Sequence, residues 1–129
     1  MDPRIDPATA FGIQLGEAHV IRNAGASARE ALRSILISQH FLGTSEVILV
    51  KHTGCGMLMF DNAEAHNMVE YQRGKDCLDA DFDFHCFGDL EQSVREEVAW
   101  LKGHKAISQG TDVSGWVYEV ESGRVREVV

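Results

Sequence analysis

Glu46-Val47-Ile48-Leu49-Val50-Lys51-His52-Thr53-Gly54-Cys55-Gly56 joins a continuous apolar run to a glycine-bearing turn that carries an imidazole and a thiol. The apolar part reads as a strand covered on both faces, the pattern of a strand inside a parallel sheet. Immediately upstream, Leu32, Ile35, Leu36, Gln39 and Leu42 fall at helical spacing, and Gly43 supplies the stop. Ser27-Ala28-Arg29-Glu30 has the form of a capping box at the start of that helix: the Ser hydroxyl takes the Glu amide, and the Glu side chain returns to the Ser amide. Further back, Ala18-His19-Val20-Ile21-Arg22-Asn23, closed by Ala24-Gly25, reads as another strand. Strand, helix and strand in this order predict a βαβ unit with a right-handed crossover.

Working outward, Pro3 and Pro7 bias the N-terminal residues toward an extended or turning path, and Ala8 to Leu15 has the composition of a short helix. Downstream, a helix is expected over Met57 to Gln72, closed by Arg73-Gly74. Lys75 to Gly88 is irregular, acidic and aromatic, with Phe82 and Phe84 set among Asp79, Asp81 and Asp83; its aromatics are expected to dock on the body or on a partner chain. Asp89 is placed to cap a helix whose Leu90, Val94, Val98 and Leu101 share one face and which ends at Gly103. Gly115 to Val120, a turn over Glu121 to Arg124, and Val125 to Val129 predict a terminal strand pair. The expected architecture is α/β over residues 1–129 as one domain, with a mainly parallel sheet flanked by helices and a C-terminal strand pair.

The 129 residues include 20 acidic and 12 basic side chains, a net charge of -8, which argues against binding a phosphate backbone. No apolar run approaches a membrane span, and the N-terminus lacks the layout of a signal peptide. Three cysteines in a chain of this size do not suggest a disulfide framework, so a cytoplasmic location is expected. P-loop, dinucleotide and serine-hydrolase signatures are lacking.

The sharpest chemical signal is His52-x-x-Cys55 at the carboxyl end of the central strand, where open α/β sheets place their ligands. An imidazole and a thiolate at this spacing reach one tetrahedral ion, and zinc accepts that mixture, although it needs at least one further protein donor. Asp2 and Arg4 are the second signal: two apart in an extended segment, they point the same way and can pair. His85 and Cys86 are adjacent and poorly placed to chelate one ion, and Cys77 has no histidine at useful spacing. His19, His40, His66 and His104 read as surface or structural residues, and Trp100 and Trp116 as core.

Taken together, Met1-Asp2-Pro3-Arg4-Ile5-Asp6-Pro7, Gly16-Glu17-Ala18-His19-Val20-Ile21-Arg22-Asn23-Ala24-Gly25, Ser38-Gln39 with Leu42-Gly43-Thr44, His52-Thr53-Gly54-Cys55-Gly56-Met57 and Gly115-Trp116-Val117-Tyr118 resemble the β-class carbonic anhydrases, in their short prokaryotic and fungal branch. The resemblance implies a lyase reaction, the reversible hydration of carbon dioxide to bicarbonate by zinc-bound hydroxide. It implies His52 and Cys55 as Zn2+ ligands, and Asp2 and Arg4 as a carboxylate–guanidinium dyad that keeps the fourth metal position open. A homodimer or larger homo-oligomer is also implied. In that family a cysteine, carried by a central strand after an N-terminal helix, stands just before the Met-Asp-x-Arg run as the third ligand. Met1 is the first residue here, so the chain reads as a form short of that helix, strand and cysteine, with Asp2 the nearest group to complete the sphere. Two alternatives share the scaffold: a carbon disulfide or carbonyl sulfide hydrolase, and a non-catalytic, metal-poor relative acting as a binding subunit.

Overall fold

Three strands form one mixed sheet in the computed structural model, which describes residues 1–129. They are β1 (Glu46–His52), β2 (Asp112–Glu119) and β3 (Arg124–Glu127), in spatial order β1-β2-β3. β1 and β2 run parallel, in register from Glu46 opposite Asp112 to His52 opposite Tyr118. β2 and β3 are antiparallel, as expected of the terminal pair. Four helices accompany the sheet: α1 (Pro7–Phe11), α2 (Ala28–Leu42), α3 (Asn62–Arg73) and α4 (Leu90–Gly103). The α/β class and the helix-flanked sheet follow the sequence.

Local chemistry explains most boundaries. Gly43 adopts φ +77° and returns its N–H to the Ser38 carbonyl, ending α2 where the sequence placed the stop. Asp89 caps α4 by accepting the Gln92 amide at 2.7 Å. The capping box at Ser27 is only half made. Its hydroxyl accepts from the Glu30 amide at 3.4 Å, but the Ser27 amide goes to the Asn23 side chain at 2.9 Å, and Glu97 of α4 takes the Ala28 amide at 2.9 Å. Neighbouring side chains satisfy the first-turn donors that the box was expected to serve.

Three expectations are corrected. Ala18 to Asn23 is not a strand: it is irregular, with Val20 and Ile21 exposed, because no neighbouring strand offers it a ladder. The βαβ unit it was to open is therefore absent, and the parallel pair is instead β1 with β2, joined through α3 and α4. Second, the helix expected from Met57 begins at Asn62, after a 3-10 turn over Gly56–Leu58. Asp61 and Glu64 form a complete capping box there, and an amide satisfied by a cap does not continue into a preceding turn. Third, β1 stands at a sheet edge and is covered on one face only. Leu49 and Lys51 are buried, whereas Ile48 is 57% exposed.

The covered face lies under α4. Val94, Val98 and Leu101 of α4 meet Val113 and Val117 of β2 and Leu49 of β1, and Ala28 and Ile35 of α2 close the cluster. Burying each of the larger aliphatic side chains contributes about 1.5–3 kcal/mol. Helix and sheet approach closely because β2 presents Gly115 there: a Cβ at that position would run into Val94 and would lie 2.9 Å from the Val98 Cγ2 atom. No helix is long and apolar enough to cross a membrane.

Overpacking of this kind costs about 1–3 kcal/mol. Gly115→Ala is therefore expected to lower the unfolding free energy by that amount, read as a lower urea midpoint with an unchanged m-value, and a variant as stable as the parent would contradict the close approach.

Candidate active site

His52 is the last residue of β1, so its position is set by the strand that precedes it. Beyond it the chain reverses through Gly54, whose φ of +61° lies in the left-handed region that favours glycine. Cys55 follows as a buried residue, 6% exposed. The Nδ1 atom of His52 lies 2.9 Å from the Thr53 carbonyl. A carbonyl only accepts, so Nδ1 carries a proton, and in the neutral ring Nε2 holds the lone pair.

The N-terminal segment delivers the second half of the site. Arg4 donates from Nε to Asp2 Oδ1 at 3.0 Å and from Nη2 to Asp2 Oδ2 at 2.7 Å, the parallel two-bond geometry of a guanidinium on a carboxylate. The Arg4 amide adds a third bond to Oδ1 at 2.9 Å. Arg4 Nη2 also donates to the Gly54 carbonyl at 3.1 Å, tying the dyad to the turn between His52 and Cys55. Asp2 Oδ2 lies 3.7 Å from His52 Nε2. The bonds from the Arg4 side chain, then that from its amide, hold the Asp2 carboxyl well below the usual carboxylate range. The same pairing raises Arg4.

Several residues that sequence reasoning passed over hold this arrangement. Arg22 donates to the Asp2 carbonyl at 2.7 Å, and the Met1 amine donates to the Asn23 carbonyl at 3.1 Å. Lys51 is buried behind the turn, donates to the Gly25 carbonyl and lies 4.1 Å from the centre of the Phe87 ring. Burial pushes its pKa down. A lysine inside an otherwise apolar strand was the one available signal for it.

The remaining candidates lie elsewhere. His85 pairs with Asp83 at 3.1 Å, Cys86 is half-buried and raised chiefly by that burial, and Cys77 is exposed. His19, His40, His66 and His104 bond to Ser38, the Ala106 carbonyl, the Phe82 carbonyl and the Ala106 amide respectively, which are structural duties. Phe82 and Phe84 pack on each other and on His66, so the irregular loop docks its aromatics on α3.

As a zinc site the donors fit in kind and fall short in number. His52 and Cys55 supply nitrogen and sulfur, but both Asp2 oxygens are engaged by Arg4, and no three His, Cys, Asp or Glu side chains converge to hold an ion. Zinc sites draw on three or four protein donors.

Comparison with known proteins defines the class. The family model described as carbonic anhydrase matches residues 1–125. "Beta-carbonic anhydrase 1" of Mycobacterium tuberculosis is 35% identical over 99% of this chain and 77% of its own length. The solved carbonic anhydrase of Streptococcus mutans is 44% identical, with a TM-score of 0.91 over 100% of this chain and 77% of that one. A "Carbon disulfide hydrolase" of Acidithiobacillus thiooxidans is 31% identical over 98% of this chain and 72% of its own length. The chain belongs to the carbonic anhydrase family, β class, whose general reaction is the hydration of carbon dioxide.

The Asp2–Arg4 pair has a direct pH signature. A carboxyl whose folded value is depressed contributes stability that is fully present above its ordinary value near 3.9, declines as pH falls below that value and is gone once pH has passed through the lower folded value. The Asp2 carboxyl carbon resonance is therefore expected to keep its ionised position as pH is lowered through 3.9. Arg4→Ala should bring the midpoint back up toward that value. A parent midpoint near 3.9 would contradict the pairing.

Proposed function

We propose that this chain catalyses the reversible hydration of carbon dioxide to bicarbonate, with zinc as its metal, His52 and Cys55 as two of the metal's ligands, and Asp2 with Arg4 as the dyad beside it. The observation that carries the reading is the Arg4 guanidinium, which bonds both Asp2 and the carbonyl of Gly54 between the two donors. One side chain thereby ties a fixed carboxylate to the histidine–cysteine turn. Zinc, when bound, supplies a Lewis acid and an acidified water. Arg4 keeps both Asp2 oxygens engaged, so Asp2 acts as an oriented acceptor rather than as a metal ligand. Its Oδ2, 3.7 Å from His52 Nε2, is near enough to receive a hydrogen bond from a small group held there. The depressed pKa keeps Asp2 ionised, and so an acceptor only, throughout the neutral range. With Asp2 in this role the metal needs a donor beyond His52 and Cys55.

A thiolate is a far better zinc ligand than a hydroxyl. Cys55→Ser is expected to lose most of the zinc measured per chain, and with it the stopped-flow hydration rate, whereas Cys77→Ser and Cys86→Ser should keep both. Full zinc occupancy in Cys55→Ser would overturn the ligand assignment.

The second reading, hydrolysis of carbon disulfide, is favoured by the resemblance to the carbon disulfide hydrolase. Release of hydrogen sulfide from carbon disulfide, without carbon dioxide hydration, would replace the first reading by this one.

We further propose that the working form is at least a homodimer. The second copy would cover the open sheet face on which Ile48 is 57% exposed, together with the outward Phe41 and Leu42 of α2, 77% and 62% exposed. Light scattering at micromolar concentration should return at least twice the chain mass; a monomer would contradict the proposal.

A further inference from the structure

The helix α3 rests lightly on the body. Of its 12 residues only Ala65 is buried, whereas α4 buries five of its 14. Two polar bonds add to that contact: the Phe84 amide donates to Asn62 Oδ1 at 2.8 Å, and His66 Nε2 donates to the Phe82 carbonyl at 2.6 Å. The loop that carries Asp79 and Asp81 is thereby fastened to the same helix. The outer side of α3 has no cover. Glu64, Met68 and Tyr71, spaced four and three apart, line it, with Met68 58% and Tyr71 89% exposed. Neighbouring large apolar side chains left in water and rimmed by polar groups mark a surface for a partner.

The same stretch concentrates the chain's charge. From Asp61 to Asp83, seven carboxylates stand against two basic side chains, Arg73 and Lys75, which is -5 of the net -8. Elsewhere Asp2, Glu91, Glu97 and Glu119 pair with arginines. Within the stretch only Asp83 has an ion-pair partner, the imidazole of His85. Asp61 and Glu64 are engaged in the capping box, which leaves Glu70, Asp76, Asp79 and Asp81 without a cation. These carboxylates do not converge on a metal ion. An anionic lipid surface or a nucleic acid would be repelled. A second copy meeting this side face to face would set -5 against -5. A partner segment with positive charge and apolar side chains is complementary to both features.

We propose that the outer side of α3, with the loop fastened to it, is a docking surface for a cationic amphipathic segment of a partner protein. The segment's apolar side chains lie against Met68 and Tyr71, and its Lys or Arg heads lie among Glu64, Glu70, Asp79 and Asp81. Tyrosine supplies a large, stiff contact, and methionine adapts to the shape laid on it. The unpaired carboxylates draw the segment in and set its orientation, while the apolar pair holds it. Neither zinc nor turnover enters this contact, so the hydratase reading stands or falls separately.

The test titrates the full chain into a fluorescently labelled helical peptide of Leu and Lys, with Leu at i, i+3, i+4 and i+7, and reads anisotropy. Two further peptides serve as comparisons: one of the same composition with Leu spread around the helix, and one with Glu in place of Lys. The amphipathic Leu/Lys peptide is expected to bind saturably, and less tightly as salt rises. The scrambled peptide should bind about tenfold more weakly, and the Leu/Glu peptide not at all. Met68→Ser with Tyr71→Ser removes two exposed side chains and should weaken binding about tenfold. Asp79→Asn with Asp81→Asn should weaken it about threefold and flatten its salt dependence. Leu15→Ser, an equally exposed apolar residue elsewhere, should change nothing. No saturable binding would overturn the proposal. Equal binding of the scrambled peptide, or full binding by the Met68/Tyr71 variant, would also overturn it, leaving adsorption by net charge alone.

Discussion

The parallel register between β1 and β2 sets the position of almost everything else in the molecule. It runs from Glu46 opposite Asp112 to His52 opposite Tyr118 without a bulge. Side chains alternate along it, so Leu49, Lys51, Val113, Gly115 and Val117 face α4, while Ile48, Val50 and His52 face the other way. A slip of one residue would drive His52 toward the core and turn Leu49 out, so the buried face and the candidate site are specified by the same pairing. The close seating of α4 on Gly115 makes that face intolerant of such a slip.

The N-terminal residues are held differently, by polar bonds to other loops. Met1, Asp2 and Arg4 reach Asn23, Arg22 and Gly54, all outside the sheet. Paired charges at an accessible surface contribute little to folding free energy, so the value of the Asp2–Arg4 pair lies in where it puts a carboxylate. Three bonds from one residue fix both oxygens of Asp2 and keep it ionised. Behind the turn, buried Lys51 binds the Gly25 carbonyl, and Gly25 in turn packs on Phe87 and Met57. The loop that follows Asn23 is thereby attached to the underside of the same strand whose end carries His52.

Relatives that share the fold and the family do not all carry the same name. One similar protein is a β-carbonic anhydrase and another a carbon disulfide hydrolase, at 35% and 31% identity. Both names concern a small carbon compound, so discrimination between them belongs to the surroundings of the site and not to the sheet that builds it.

Periodicity and end signals in the chain alone determined α2 with its Gly43 stop, α4 with its Asp89 cap, the apolar strand ending at His52 and the terminal strand pair. These features are local: a cap, a left-handed glycine or a repeat of apolar residues acts within a few positions of itself. The His52–Cys55 turn and the pairing of Asp2 with Arg4 were legible for the same reason, since each depends on residues at most three apart. The join between them was not, because Arg4 and the Gly54 carbonyl are 50 residues apart. Tertiary structure also decided that Ala18 to Asn23 stays out of the sheet, since a strand exists only where a neighbour pairs with it. It placed β1 at an edge and buried Lys51, and it brought Glu121 to Thr53. Those outcomes depend on which backbone comes to lie beside which, and no short window of sequence contains that information.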